Sequence, residues 1–156
     1  MRLSAFTFCC SFFLLLTGCD ANDPGAATKD DAKGLALFQT YCAACHQADG
    51  SGQEARIPPL AGSSWVSGPE ERIIRIVLHG LRGPIEVKGT TFEVEMLGFG
   101  AVLRDEEVAS VLTYVRRRFG DAPAVTTASV NQVREATKDR AEYWTAEELL
   151  AIPGVK

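Results

Sequence analysis

Residues 42–46 read Cys-Ala-Ala-Cys-His, and this pentapeptide constrains the fold more than any other stretch of the chain. A C-x-x-C pair followed directly by His is a pattern for covalent attachment of haem. On a helical turn Cys42 and Cys45 project from the same side, as two thioether bonds to one porphyrin edge require. His46 is then placed to bring its imidazole under the ring as one axial ligand to iron, leaving the other face for a second ligand. Other uses of paired cysteines fit poorly. A zinc ribbon needs a second C-x-x-C or a finger-spaced His pair, and no cysteine follows Cys45. A thioredoxin-type pair needs an alternating strand–helix context that this sequence lacks.

Residues 1–18 read as a signal peptide, with one basic residue, Arg2, ahead of an apolar run from Leu3 to Leu16. That run falls short of the roughly 20 residues a permanent membrane span requires. Leu16-Thr17-Gly18-Cys19 resembles the bacterial lipobox. The resemblance implies cleavage before Cys19 and a diacylglycerol on its thiol; the alternatives are an ordinary secretory signal or a short uncleaved anchor. Each of these takes the chain out of the cytoplasm. Asp20 resembles the retention signal of some Gram-negative lipoproteins, which implies the periplasmic side of the inner membrane. Residues 19–31 are polar, have no apolar periodicity, and read as a lipidated flexible tether.

The cysteine count closes on this scheme. Cys9 and Cys10 leave with the signal peptide, Cys19 carries lipid, and Cys42 and Cys45 carry haem, so no structural disulfide is needed. The 156 residues leave room for one domain. Their net charge of −4 becomes one unit more acidic when Arg2 is lost, which argues against a nucleic-acid partner and against electrostatic binding to anionic lipid.

Apolar spacing predicts a first helix over roughly 31–44, capped by Asp30 or Asp31, with Leu35, Phe38, Tyr41 and Cys42 on one side and Gly34 at a close contact. Residues 47–56 are loop-like, and Ile57-Pro58-Pro59-Leu60 forms a rigid corner. A second helix opens at Pro69-Glu70-Glu71, with Pro69 in the first helical position, and stops at Gly80. Ile85 to Val94 suggest a short irregular hairpin around Lys88-Gly89. A third helix begins at Asp105-Glu106-Glu107, carries Val108, Val111, Leu112 and Val115 on its apolar stripe, and ends at Gly120.

Taken together, Gly34, Phe38, Cys42-x-x-Cys45-His46, Pro58-x-Leu60, Met96 and the helix with Tyr114 resemble a class I, mono-haem cytochrome c over residues 32–120. Leu78-His79-Gly80 with Gly83-Pro84-Ile85-Glu86-Val87 resembles the bacterial members associated with respiratory chains and quinoprotein dehydrogenases. The resemblance implies an all-α fold of about three core helices around one covalent haem c. It also implies crossed first and last helices meeting at Gly34, Phe38, Val111 and Tyr114. Pro58 would offer its carbonyl to the second imidazole nitrogen of His46, a bond that fixes the ring, and Leu60 would pack on the haem.

The resemblance places the second axial ligand at Met96, in Glu95-Met96-Leu97-Gly98-Phe99-Gly100 ahead of the last helix. Met96 is the one methionine left in the mature chain, and a methionine that fills core space is the alternative. His79, the other histidine, has no ligand counterpart in the family and reads as a helix-end cap or hydrogen-bonding residue. The family usually has proline after this methionine, whereas this chain has Leu97-Gly98.

Residues 121–156 extend beyond the family fold. Ser129-x-x-Gln132 and Thr145-x-x-Glu148 are capping-box patterns for two short helices, which Trp144, Leu149, Leu150 and Ile152 allow to pack on the domain's back rather than reach for a partner. The function this implies is a membrane-tethered one-electron carrier and not an enzyme, with redox proteins as partners: a dehydrogenase, a cytochrome bc1-type complex or a terminal oxidase. The neighbouring reading is an electron-accepting subunit of a periplasmic dehydrogenase complex. A peroxidase or gas sensor would need an open iron position with a distal acid–base group, for which His79 is the sole candidate imidazole. The haem edge would lie between Ala43-Ala44, Gln47-Ala48 and Leu97–Val102, an apolar surface with Asp49 as its one charge.

Overall fold

A computed structural model describes residues 29–152, so the signal peptide, Cys19 and tether residues 19–28 lie outside the described residues. The first helix, α1 (Lys29–Tyr41), starts inside the expected tether and carries Asp30 and Asp31 in its first turn, where the helix dipole favours acids. Asp31 also pairs with Arg117 at 2.9 Å. A short second helix, α2 (Ala43–His46), follows after a break at Cys42. α3 (Ser64–Ser67) precedes α4 (Glu70–His79), and a hairpin of β1 (Gly80–Val87) and β2 (Thr90–Leu97) leads to α5 (Asp105–Gly120). The tail adds α6 (Thr127–Ala136) and α7 (Ala146–Leu150).

α1 and α5 cross at Gly34. A Cβ there would stand 2.5 Å from the Ser110 carbonyl oxygen and 2.7 Å from Tyr114 Cβ, so only glycine lets the backbones approach this closely. Phe38, one turn on, is fully buried and packs between Tyr114 and Phe119 at ring distances of 5.5 and 5.4 Å. The buried stripe therefore runs Gly34–Phe38–Tyr41, and Leu35, expected on it, is 38% exposed. Leu35 sits about 100° round the helix from Gly34, which carries it off the α5 contact.

α4 differs from an ordinary surface helix in burying apolar residues over most of its circumference. Ile73, Ile74, Val77 and Leu78 join the core with α1, α5 and α6, while Ile76 faces a second cluster with Leu81, Ile85, Phe92 and Leu149. Pro69 caps this helix from outside instead of occupying its first position, and Gly80 ends it at φ +83.

The hairpin is longer and more regular than expected. It pairs Gly80 with Leu97 and Val87 with Thr90 across Lys88-Gly89, both at positive φ, the two-residue turn whose twist suits antiparallel strands. Pairing continues because Phe92, Val94 and Met96 alternate inward, one side chain in two. Met96 thus belongs to β2, opposite Leu81, and the connector to α5 begins after it.

The tail packs on the domain. Val130 and Val133 of α6 enter the main core, and Leu149 of α7 is 0% exposed in the second. Trp144 lies alongside the hairpin, accepting from Arg82 N–H and donating to the Gly80 carbonyl. α7 carries the capping box of Thr145 and Glu148. α6 begins three residues earlier than its pattern suggested: Thr126 is the cap and accepts from Ser129 N–H at 3.0 Å. At the end of α5 the left-handed cap is Asp121, beyond Gly120.

Candidate haem site

Cys42 donates its N–H to the Phe38 carbonyl, and both Cys45 and His46 return theirs to the Cys42 carbonyl, so one tight turn carries all three side chains. Cys42 is half-buried, Cys45 is exposed, and no disulfide joins them. Burial, with Cys45 close by, pushes the Cys42 thiol up to about 11.

Beside this turn opens an apolar cleft with a cavity volume of about 100 Å³. Its walls come from α1 to α5, the proline corner and the hairpin: Tyr41 from α1, His46 from α2, Leu60 from the proline corner, Trp65 from α3, Ile76 from α4, Ile85 and Met96 from the hairpin, Val111 from α5. The mouth runs past Cys42, Cys45, Arg56 and Leu97. Among the described residues no cluster of His, Cys, Asp and Glu able to hold a bare metal ion is gathered.

His46 Nδ1 is buried without a hydrogen-bond partner. Burial lowers the pKa of the ring, and the nearby Pro58 carbonyl works in the opposite direction, although the two do not meet at hydrogen-bonding geometry. A neutral imidazole in an apolar cleft, with an unsatisfied nitrogen and two thiols at the rim, is the donor set that a covalently bound haem would complete.

The other expected residues separate cleanly. Pro58, Leu60 and Met96 line the same cleft as Cys42 and His46. His79 does not: its Nε2 lies 2.7 Å from Thr137 Oγ1 and its ring meets Trp144 edge-on. That engagement, at the junction of α4 and α6, takes the sole other histidine away from the cleft. Trp65 was not foreseen. Ser63 caps α3 and turns the indole inward, where Nε1 donates to the Glu86 carbonyl at 2.9 Å and ties the hairpin to the cleft wall. The Ser63-Ser64-Trp65 sequence carried that capping signal in a form too short to stand out. Arg116 is equally unexpected: it is buried and donates to the carbonyls of Pro123, Val66 and Gly68.

The family model for cytochrome c matches residues 32–118, which is more than half of the chain. The chain belongs to the cytochrome c family. Cytochrome c-552 of Thermus thermophilus is 38% identical over 143 residues, covering 89% of this chain and 90% of the relative. The gluconate 2-dehydrogenase cytochrome c subunit of Pantoea cypripedii is 34% identical over 115 residues, 70% of this chain but 25% of that protein. The Cbb3-type cytochrome c oxidase subunit FixP of Bradyrhizobium diazoefficiens is 33% identical over 101 residues, 63% of this chain and 33% of its own length. This cytochrome is therefore a homologue of the mono-haem class I protein of Thermus, an electron-transfer protein whose family carries haem c covalently. The match to that relative takes in most of the tail as well as the domain.

Proposed function

We propose that this cytochrome is a membrane-tethered one-electron carrier whose haem is attached at Cys42 and Cys45 and ligated by His46 and Met96. The observation that carries the reading is that His46 and Met96, from separate elements, line one apolar cleft with the cysteines at its rim. When bound, haem supplies reversible one-electron exchange at iron, and a Met/His pair favours a higher potential than two imidazoles. The chain's part is to hold and shield. The helical turn fixes the cysteines and His46, burial keeps the imidazole neutral, β2 presents Met96, and Leu60 with Ile76, Ile85 and Val111 excludes water.

A lipid on Cys19 would tie the carrier to the periplasmic face of the inner membrane, a reading supported by the sequence at residues 16–20. Among the described residues no helix is long and apolar enough to cross a membrane. Likeness to a dehydrogenase cytochrome subunit and to an oxidase subunit supports partners of those kinds, and supports equally a stable place within such a complex. Leu97, 63% exposed at the cleft mouth, adds apolar surface there that suits brief redox encounters.

The ligation is tested in the oxidised, haem-loaded protein. A long-wavelength sulfur-to-iron charge-transfer band is expected, and Met96→Ala abolishes it while His79→Ala leaves it in place. A band that survives Met96→Ala overturns the assignment.

A further inference from the structure

The connector from Met96 to α5 contains Gly98 and Gly100 and no proline, so its own sequence gives it little stiffness. It is nevertheless held on two sides. On the inner side Phe99 N–H donates to the Val77 carbonyl at 2.7 Å and Gly100 N–H to the Leu78 carbonyl at 3.0 Å. Both glycines lie flat on the end of α4, where a Cβ on Gly98 would come within 2.7 Å of the Leu78 carbonyl oxygen.

The outer side is held by one residue of the tail. Arg134 of α6 donates from Nη1 to the Gly100 carbonyl at 2.6 Å, from Nη2 to the Leu103 carbonyl at 2.9 Å, and from Nε to Asp105 Oδ1 at 2.6 Å. The other Asp105 oxygen accepts from Asn131 Nδ2 at 3.0 Å. A single planar guanidinium thus ties together the middle of the connector, its end, and the first residue of α5. α6 is itself seated by Val130 and Val133 in the core and by the Thr137–His79 contact on α4. Charge-assisted bonds to three acceptors in fixed geometry suit arginine and cannot be reproduced by lysine.

We infer that Arg134 is a positioning residue for Met96: by fixing the carbonyls of Gly100 and Leu103 it holds the connector closed and resists displacement of the methionine by an external ligand. The inference rests on Met96 as an axial ligand. It follows from two-state logic, because any group that binds only the closed connector lowers the population of the open one, and an external ligand binds through the open one.

The test is an imidazole titration of the oxidised, haem-loaded full-length protein, followed through the sulfur-to-iron band. Arg134→Ala is expected to bind imidazole at least tenfold more tightly than wild type, a factor equivalent to about 1.4 kcal/mol. Arg134→Lys, which keeps a charge beside Asp105 without reaching both carbonyls, shows the same change to a smaller degree and carries the test if the alanine variant yields no loaded protein. Arg117→Ala is the control. Arg117 pairs with Asp31 between α5 and α1, away from the connector, so its loss removes an arginine ion pair without changing imidazole affinity. Unchanged affinity in both Arg134 variants, or equal tightening in Arg117→Ala, overturns the inference. A wild type that lacks the band overturns instead the ligation on which the inference stands.

Discussion

The wall of the cleft that carries Cys42, Cys45 and His46 is built from residues adjacent in sequence, whereas the wall that carries Met96 is assembled from segments far apart. On the first, one turn closed by hydrogen bonds to the Cys42 carbonyl sets the position of every functional side chain. On the second, Met96 depends on its pairing with Leu81, on the end of α4, on Arg134 of α6, and on Trp144 alongside β1. A local wall forms with little loop-closure entropy and would be made permanent by covalent attachment of haem at Cys42 and Cys45. A non-local wall gathers its order from many contacts and can open when any one of them is lost. Under the proposed attachment and ligation, the first wall retains the cofactor and the second holds Met96 as its axial ligand.

The largest effect that separates the two walls comes from removing the covalent link. Replacing both Cys42 and Cys45 with Ala should eliminate attached haem altogether, read as a mature protein mass without the haem increment. Retention of covalent haem in that variant would show that another residue supplies the bond.

Next in size is the tail's grip on the Met96 wall. Leu149 is 0% exposed among Trp65, Ile76 and Leu81. Leu149→Ala should destabilise the whole domain by about 2–5 kcal/mol, measured by urea unfolding. An unchanged midpoint would mark the tail as a loose extension with no part in the wall.

A smaller effect should appear with acid. Burial alone would raise the Asp105 carboxyl, but hydrogen bonds from Arg134 and Asn131 and the Arg134 charge bring it below its usual value. A carboxylate lowered in the folded state contributes stability above its unfolded pKa of about 3.9 and loses it as pH falls through the folded value. The urea midpoint should therefore drop as pH falls below the ordinary carboxylate range, and Asp105→Asn should show less of that drop. An identical acid response in the two proteins would remove Asp105 from the account.

The same division governs what the sequence alone could disclose. Cys42, Cys45 and His46 announce themselves in five residues, and Gly34, Phe38 and the stripe of α5 follow from helical spacing, whereas the crossing of the two helices was implied by the resemblance to cytochrome c. The capping box at Thr145 was readable for the same local reason. Arg134 was invisible, because two of its acceptors are backbone carbonyls more than thirty positions away with no side-chain signature, and the third, Asp105, is 29 positions away, beyond any helical spacing. The full extent of the hairpin was missed because Glu93 and Glu95 dilute the apolar signal while Phe92, Val94 and Met96 keep the inward alternation. Leu35 misled because an apolar residue one position off the contact stripe looks the same in sequence as one on it.

The most direct test of the contrast is to heat the oxidised, haem-loaded protein while recording the sulfur-to-iron band and the far-ultraviolet helix signal together. If the Met96 wall is the non-local, openable one, the band disappears at a distinctly lower temperature than the helices, with haem still attached at Cys42 and Cys45. Loss of both signals in one coincident transition would contradict the account and show the two walls to be a single cooperative unit.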